Sequence, residues 1–293
     1  MRKISMYWNN ICILHRYEKK HIEEVTLLLK EQDILLETEY FGLGYPKKLS
    51  EEVKKTGIAP DIMISTDLEV FEDPEIYGLF KEDLLEIQGL LPLKNEICNS
   101  NLCQDKRLLP FLVIPLIMVF NKQLLAGQPL PVSLKELAEH PKAFGGKTNS
   151  AGRGVYKQLT WLYGKEFTDL FMENATIFDM PVQSLQSVQK GLSPAAITPS
   201  IFAFRADETL LSLRYPKEGA LTVPSFIAVK NTLSTDLAGW ILSKLFTVDF
   251  CNYFAEYGEI QPCFQHTKDV NMVAEHQFRF VYPDFAKSPG KYV

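Results

Sequence analysis

The longest apolar run in the chain is Leu108–Phe120, LLPFLVIPLIMVF, thirteen residues that include Pro110 and Pro115. A membrane-spanning helix needs about twenty apolar residues. Proline also breaks a helix interior, yet it is tolerated at strand ends and edges. The run therefore reads as a buried strand, continuing to Leu125 as LLPFLVIPLIMVFNKQLL. A second segment of the same kind, Tyr215–Asn231 (YPKEGALTVPSFIAVKN), precedes an amphipathic helix. Each reads as a strand that crosses between two lobes, and two such crossings make a hinge. The expected division is 1–113 plus 225–293 for the first lobe and 114–224 for the second. The pivots fall near 113–118 and 222–227.

The opening of the chain reads βαβαβ. Ile4–Trp8 is a short apolar strand, and Ile22, Val25, Leu28 and Leu29 recur at helical spacing within Tyr17–Lys30. Ile34–Phe41 alternates as a strand. The turn Gly42–Pro46 leads into a helix over Lys47–Lys55, which Gly57 closes in the manner of a C′ glycine. Ile62–Ser65 is the third strand. Strands alternating with helices imply a parallel sheet. Short helices are expected over Asp67–Gly89 and a polar loop over Leu90–Lys106. Past the first crossing, Ser133 is a candidate N-cap with Glu136 completing a capping box. Helices are then expected through Tyr156–Tyr163, Glu166–Asn174 and Val182–Lys190, with strands at Ala195–Ser200 and Leu211–Tyr215. Ser234–Asp236 starts a helix carrying Leu237, Ile241, Leu245 and Val248, and a further short helix ends at Gly258.

Composition narrows the classes. Of the 293 residues, 46% are hydrophobic and 23% charged, as in ordinary globular chains, and the net charge is −5. No basic block stands out, which argues against a nucleic-acid partner. Lys47-Lys48 and Lys54-Lys55 read as a solvated helix face. The first residues, MRKISMYWNN, show no apolar stretch of leader length and no small-residue cleavage site. Cytoplasmic residence is the expectation as written, with an extracytoplasmic one if a leader was removed. The five cysteines, Cys12, Cys98, Cys103, Cys251 and Cys263, are an odd set that does not suggest a secreted disulfide framework. Cys98 and Cys103, in ICNSNLCQDK, lack the usual spacing of a zinc knuckle. Reduced thiols, a disulfide across the loop, and a metal or iron–sulfur site all remain open there.

Several segments, in order, resemble type II periplasmic solute-binding proteins, the receptors of ABC importers. APDIMIST resembles their strand after the second helix, and VIPLIMVFNKQLL their first hinge. PVSLKELAEHPKAFGGKTNS resembles the helix–strand unit of the second lobe, YPKEGALTVPSFIAVKN the returning hinge strand, and ILSKLFTVDFCNYFAEYGEIQP the closing helix. The resemblance spans roughly Ile4 to Pro262. Residues after Pro262 fit no piece of it. It implies an α/β fold of two Rossmann-like lobes joined by a two-strand hinge, with a small anionic or polar organic solute held in the cleft. It also implies an ABC permease as partner, a monomer, no cofactor and no catalysis. The pieces are most similar to the ferric-iron, polyamine and phosphonate branch. Its ferric receptors carry adjacent tyrosines just after a Pro-Ala-Ala segment. Here that place reads Pro194-Ala195-Ala196-Ile197-Thr198-Pro199-Ser200-Ile201-Phe202, which supplies no phenolate for Fe(III). A cytosolic ligand sensor and an enzyme on the same fold are the alternatives.

In open α/β sheets, ligands lie outside the carboxyl ends of the strands. That rule selects Trp8, Asn9 and Asn10 after the first strand, with Trp8 as an aromatic wall. It selects Ser65 and Thr66 after the third strand, and Thr198 and Ser200 after the later one. Asn149, Ser150, Gly152 and Arg153 open a helix after Gly145-Gly146-Lys147-Thr148. Free N–H groups there suit an anion, Gly permits close approach, and Arg153 can add a bidentate contact. An ordinary helix cap is the competing reading. Arg205 and Asp207 read as a solvated turn. His15, His21, His140, His266 and His276 have no metal-ligand spacing, and no nucleophile elbow, HExxH motif or dinucleotide-binding glycine loop is present.

Overall fold

A computed structural model of the chain describes residues 1–42, 44–146, 149–270, 273 and 279–284. The chain forms two compact units, Met1–Val113 with Pro224–Ala255 and Pro262–Lys268, and Ile114–Val223 with Glu256–Gln261 and Asp269–Val293.

In the first unit, β1 (Arg2–Asn9), β2 (Ile34–Phe41) and β3 (Ile62–Ser65) are parallel in the order β2-β1-β3. All four residues of β3 are buried, whereas β2 at the edge buries only Ile34, Leu36 and Phe41. Helix α1 (His15–Lys30) turns Ile22, Val25 and Leu29 inward; Leu28, expected on that face, is exposed with Leu27. Helix α2 (Leu49–Thr56) buries Leu49 and Val53. Gly57 stops it at φ 65°, where a side chain would be strained, and donates its N–H to Val53 O at 2.8 Å. Lys54, on this helix, pairs with Glu75, but Lys47 and Lys48 precede the helix expected to carry them: Lys47 pairs with Glu39 and Glu52, and half-buried Lys48, the N-cap residue, with Glu69. The short helices α3 (Glu69–Glu72), α4 (Pro74–Tyr77) and α5 (Asn95–Cys98) follow.

Strand β4 (Leu109–Asn121) is buried along its whole length, and the chain changes unit within it, between Val113 and Ile114. In the second unit come α6 (Leu134–Ala138), β5 (Lys142–Gly145), α7 (Ser150–Tyr163), α8 (Lys165–Glu173), β6 (Ala175–Phe178), α9 (Pro181–Gln189), β7 (Ala195–Pro199), α10 (Ser200–Ala203) and β8 (Leu211–Arg214). β5 runs parallel to β6 and β7, and β7 and β8 run antiparallel to β4. Ile117, Val119, Ala143, Leu185, Val188, Ala196, Ala203 and Leu211 form a core of this unit. Ser133 caps α6 as expected, its Oγ accepting from Glu136 N at 3.1 Å. The Glu136 carboxylate, however, accepts from Val132 N at 2.8 Å, one residue short of the expected box.

Strand β9 (Ala220–Val229), also wholly buried, carries the return between Val223 and Pro224 and pairs antiparallel with β3. After it come α11 (Thr235–Leu245), α12 (Val248–Gly258), β10 (Gln261–Pro262) and β11 (Phe280–Val281). The expected division put everything after 224 in the first lobe. The chain instead changes unit three more times, after Ala255, Gln261 and Lys268. Local bonds explain it. β11 pairs with β9 at Phe280↔Ala220, and Thr222 Oγ1 donates to Val281 O at 2.8 Å. Gln261 Nε2 donates to Asp269 Oδ1 at 2.9 Å. Among the described residues, no helix is long and apolar enough to cross a membrane.

Candidate ligand-binding site

The carboxyl ends of β1 and β3 lie side by side in the first unit, because Trp8 pairs with Ile64 in the parallel ladder. The sequence-selected residues there separate into two groups. Trp8 belongs to the core: it is fully buried, stacked on Phe246 and set edge-on to Phe111 and Phe250. Such aromatic pairs contribute about 0.5–1.5 kcal/mol each beyond burial. The expected aromatic wall is thus corrected; rings from distant segments close over Trp8. Ser65 is also buried, its Oγ accepting from Asp67 N at 2.8 Å within its own turn.

Asn9, Asn10 and Thr66 form the polar edge. Thr66 Oγ1 donates to Asn9 Oδ1 at 2.9 Å. Asn10 N donates to Phe41 O at 2.9 Å, and Gly42 packs so tightly on Asn10 that a Cβ there would lie 2.6 Å from its Oδ1. Ser225 joins this edge, although sequence reasoning passed over it. It precedes Phe226, which pairs with Ser65, the last residue of β3. Its Oγ is buried and makes no hydrogen bond among the described residues. Buried hydroxyls without partners are rare and call for an occupant such as water or ligand.

Behind this edge lies a second residue that the sequence did not single out. Glu18, in the first turn of α1, is 1% exposed. Its Oε1 accepts from Trp8 Nε1 at 3.2 Å and its Oε2 from Ile11 N at 2.9 Å. Burial dominates over these bonds and pushes its pKa up to about 7. His21 stacks on Phe250, and burial lowers its pKa despite the contact of Nε2 with Leu245 O.

In the second unit the parallel strands β5, β6 and β7 end at Gly145, Phe178 and Pro199. Gly146 follows β5 with φ 99°, donating to Phe178 O at 3.0 Å. Asn149 caps α7, its Oδ1 accepting from Ala151 N at 3.0 Å. Asn149, Ser150 and Arg153 are half-buried and Gly152 is buried. Lys147, Thr148 and His276 lie outside the described residues. Thr198 and Ser200 are fully buried, and their hydroxyls donate inward to Pro181 O and Gly258 O, each at 3.4 Å. Arg205 donates to Ile201 O and Tyr257 O, and Asp207 accepts from Thr209, so both are held locally. Deeper in α7, the Gln158 amide clasps the backbone of β9. Its Nε2 donates to Thr222 O at 2.6 Å and its Oε1 accepts from Thr222 N at 2.7 Å.

Residues 58–289 match the family described as bacterial extracellular solute-binding protein. The chain belongs to that family. Its fold is that of periplasmic binding proteins, shared with iron-bound HitA from Pseudomonas aeruginosa at 12% identity and a TM-score of 0.64, covering 92% of this chain and 89% of that one. Apo FutA2 from Synechocystis PCC6803 is similar at 15% identity and TM-score 0.64, over 97% and 93% of the two chains. A two-component system protein that mediates signal transduction is similar at 15% identity and TM-score 0.67, over 92% and 90%. No curated protein matches in sequence. The type II binding-protein resemblance of the sequence is thereby established, and the family is one of binders rather than enzymes.

Proposed function

We propose that the chain captures a small anionic or polar organic solute, makes and breaks no bond in it, and delivers it to an ABC-type permease. The carrying observation is the family match over residues 58–289. Two polar sets support the solute class. Asn9, Asn10, Thr66 and Ser225 edge the first unit's strands. Asn149, Ser150, Gly152 and Arg153 open α7 in the second, where N–H groups and a guanidinium favour an anion. The family favours work outside the cytoplasmic membrane, the alternative to the cytoplasmic expectation, and we assign a monomer. Ferric iron is not the solute proposed, since the end of β7 offers Thr198 and Ser200 in place of phenolates.

A thermal-shift screen with carboxylates, phosphonates, polyamines and metal ions tests this. A solute at a hundred times its Kd adds about 2.7 kcal/mol. Stabilisation by a carboxylate or phosphonate, lost in Arg153→Ala, is expected; a response to ferric ion alone would overturn the solute class. A sensor role is the second reading, favoured by the similarity to the two-component protein. Capture of a partner protein only in the presence of solute would favour it.

A further inference from the structure

The loop between α4 and β4 carries two thiols that solute binding leaves unused. Cys98 ends α5 and is exposed, while Cys103 ends the next turn and is half-buried; both are free thiols. The chain between them is tightly wound. Ser100 N and Ser100 Oγ both donate to Ile97 O, at 3.1 and 2.7 Å, and Leu102 N donates back to Ser100 Oγ at 3.2 Å. The winding sets Cys103 Sγ 3.3 Å from Ile97 O, the carbonyl bonded to the Cys98 amide. Cys98 Sγ lies 3.9 Å from Leu93 O, just before the Lys94 cap of α5. Burial, and then the charge of nearby Cys98, pushes the Cys103 pKa up to about 11. Beneath them Cys263 is fully buried and held protonated, chiefly by burial, with Cys103 and Cys251 also acting on it. Of these four thiols, only Cys98 is open to a bulky reagent.

We propose that Cys98 and Cys103 are a redox-sensitive dithiol, which a small organic disulfide converts to an intrachain disulfide in the folded protein. The Cys98 thiolate attacks the reagent, forming a mixed disulfide and releasing one thiol. Cys103 then gives its proton to solvent and attacks the Cys98 sulfur, releasing the second thiol. The chain loses two hydrogens and the reagent is reduced to two thiols. Cys103 is the resolving group because its sulfur is beside the Cys98 backbone and its exposure is partial. Cys263, by contrast, is fully buried and closed to solvent. A family of extracellular proteins meets such oxidants, whereas cytosolic chains are kept reduced.

The native full chain is incubated with oxidised glutathione, its free thiols are counted, and its peptides are mapped by mass. Wild type is expected to lose the thiols of Cys98 and Cys103 and to yield a Cys98–Cys103 link two hydrogens lighter than the reduced peptide. Cys103→Ser should stop at a glutathione adduct on Cys98, and Cys98→Ser should leave Cys103, Cys251 and Cys263 unmodified. Closure should accelerate about tenfold per pH unit below the Cys103 pKa, since the thiolate is the nucleophile. Retention of every thiol, a persistent adduct in wild type, or a link mapping to Cys103–Cys263 would each overturn the proposal. Unchanged melting of both variants confirms that chemistry, not unfolding, is read.

Discussion

Glu18 makes the stability of the first unit depend on pH in a way that one substitution should remove. Its carboxyl ionises near 7 in the fold against 4.5 in the open chain, because burial disfavours the charge. A raised acid pKa means that the fold prefers the protonated form. The contribution is therefore full below pH 4.5, declines as the unfolded chain ionises, and is gone once pH passes 7. At 1.36 kcal/mol per pKa unit, the shift from 4.5 to 7 corresponds to about 3.4 kcal/mol. Glu18→Gln abolishes the titration. The amide keeps one acceptor for the Trp8 and Ile11 donors and turns its NH2 toward the other, a pH-independent cost of about 1–3 kcal/mol. Melting temperatures of both proteins are measured at pH 4.5 and 8. Every other carboxylate contributes equally to both, so it cancels in the difference. Since the unfolded carboxyl is already half ionised at pH 4.5, about 2.9 kcal/mol of this changes across the range, and the variant should gain on wild type by about 6–12 °C, taking about 2–4 °C per kcal/mol for a domain of this size. An offset that stays constant with pH would refute the assignment of Glu18 as a buried, proton-holding acid.

Gln158→Leu strips the clasp on Thr222 and leaves a buried N–H and C=O unpaired. A loss of about 2–5 kcal/mol in denaturant unfolding is expected, and a loss below 1 would count against the clasp. Asn149→Ala removes the α7 cap, costing about 0.5–2 kcal/mol, and should also weaken the thermal shift given by an anionic solute. Gly146→Ala puts a Cβ 2.0 Å from Asn149 Oδ1 at φ 99°, so it should destabilise the second unit and mimic the loss of the cap; calorimetry would detect it.

What the sequence made legible was mostly local. β3 was read to the residue from its apolar run, and Gly57 from the chemistry of left-handed backbone. The two spans were visible because continuous apolar residues with prolines leave few other folds. What it hid depends on distant partners. β6, Ala175–Phe178, is half-exposed and forms only because β5 pairs with it. Trp8 beside two asparagines reads as a mouth until Phe246 and Phe250 cover it. Glu18 reads as an exposed acid in a first helical turn, and its burial comes from the strand end it packs under. Ser225 gains meaning only through the register of β9 on β3. The polar edges of the strands followed from topology, but which hydroxyls turn inward, as in Thr198 and Ser200, did not.

The five changes of unit along the chain have a consequence for synthesis. When Val223 leaves the ribosome, the first unit still lacks its share of β9, all of α11 and most of α12, and the second still lacks β11. The first body cannot be finished before Lys268 has emerged, nor the second before β11 has, so the usual order of folding the amino-terminal part first is closed to this chain. The strands made first must wait, unfinished, for partners made long after them.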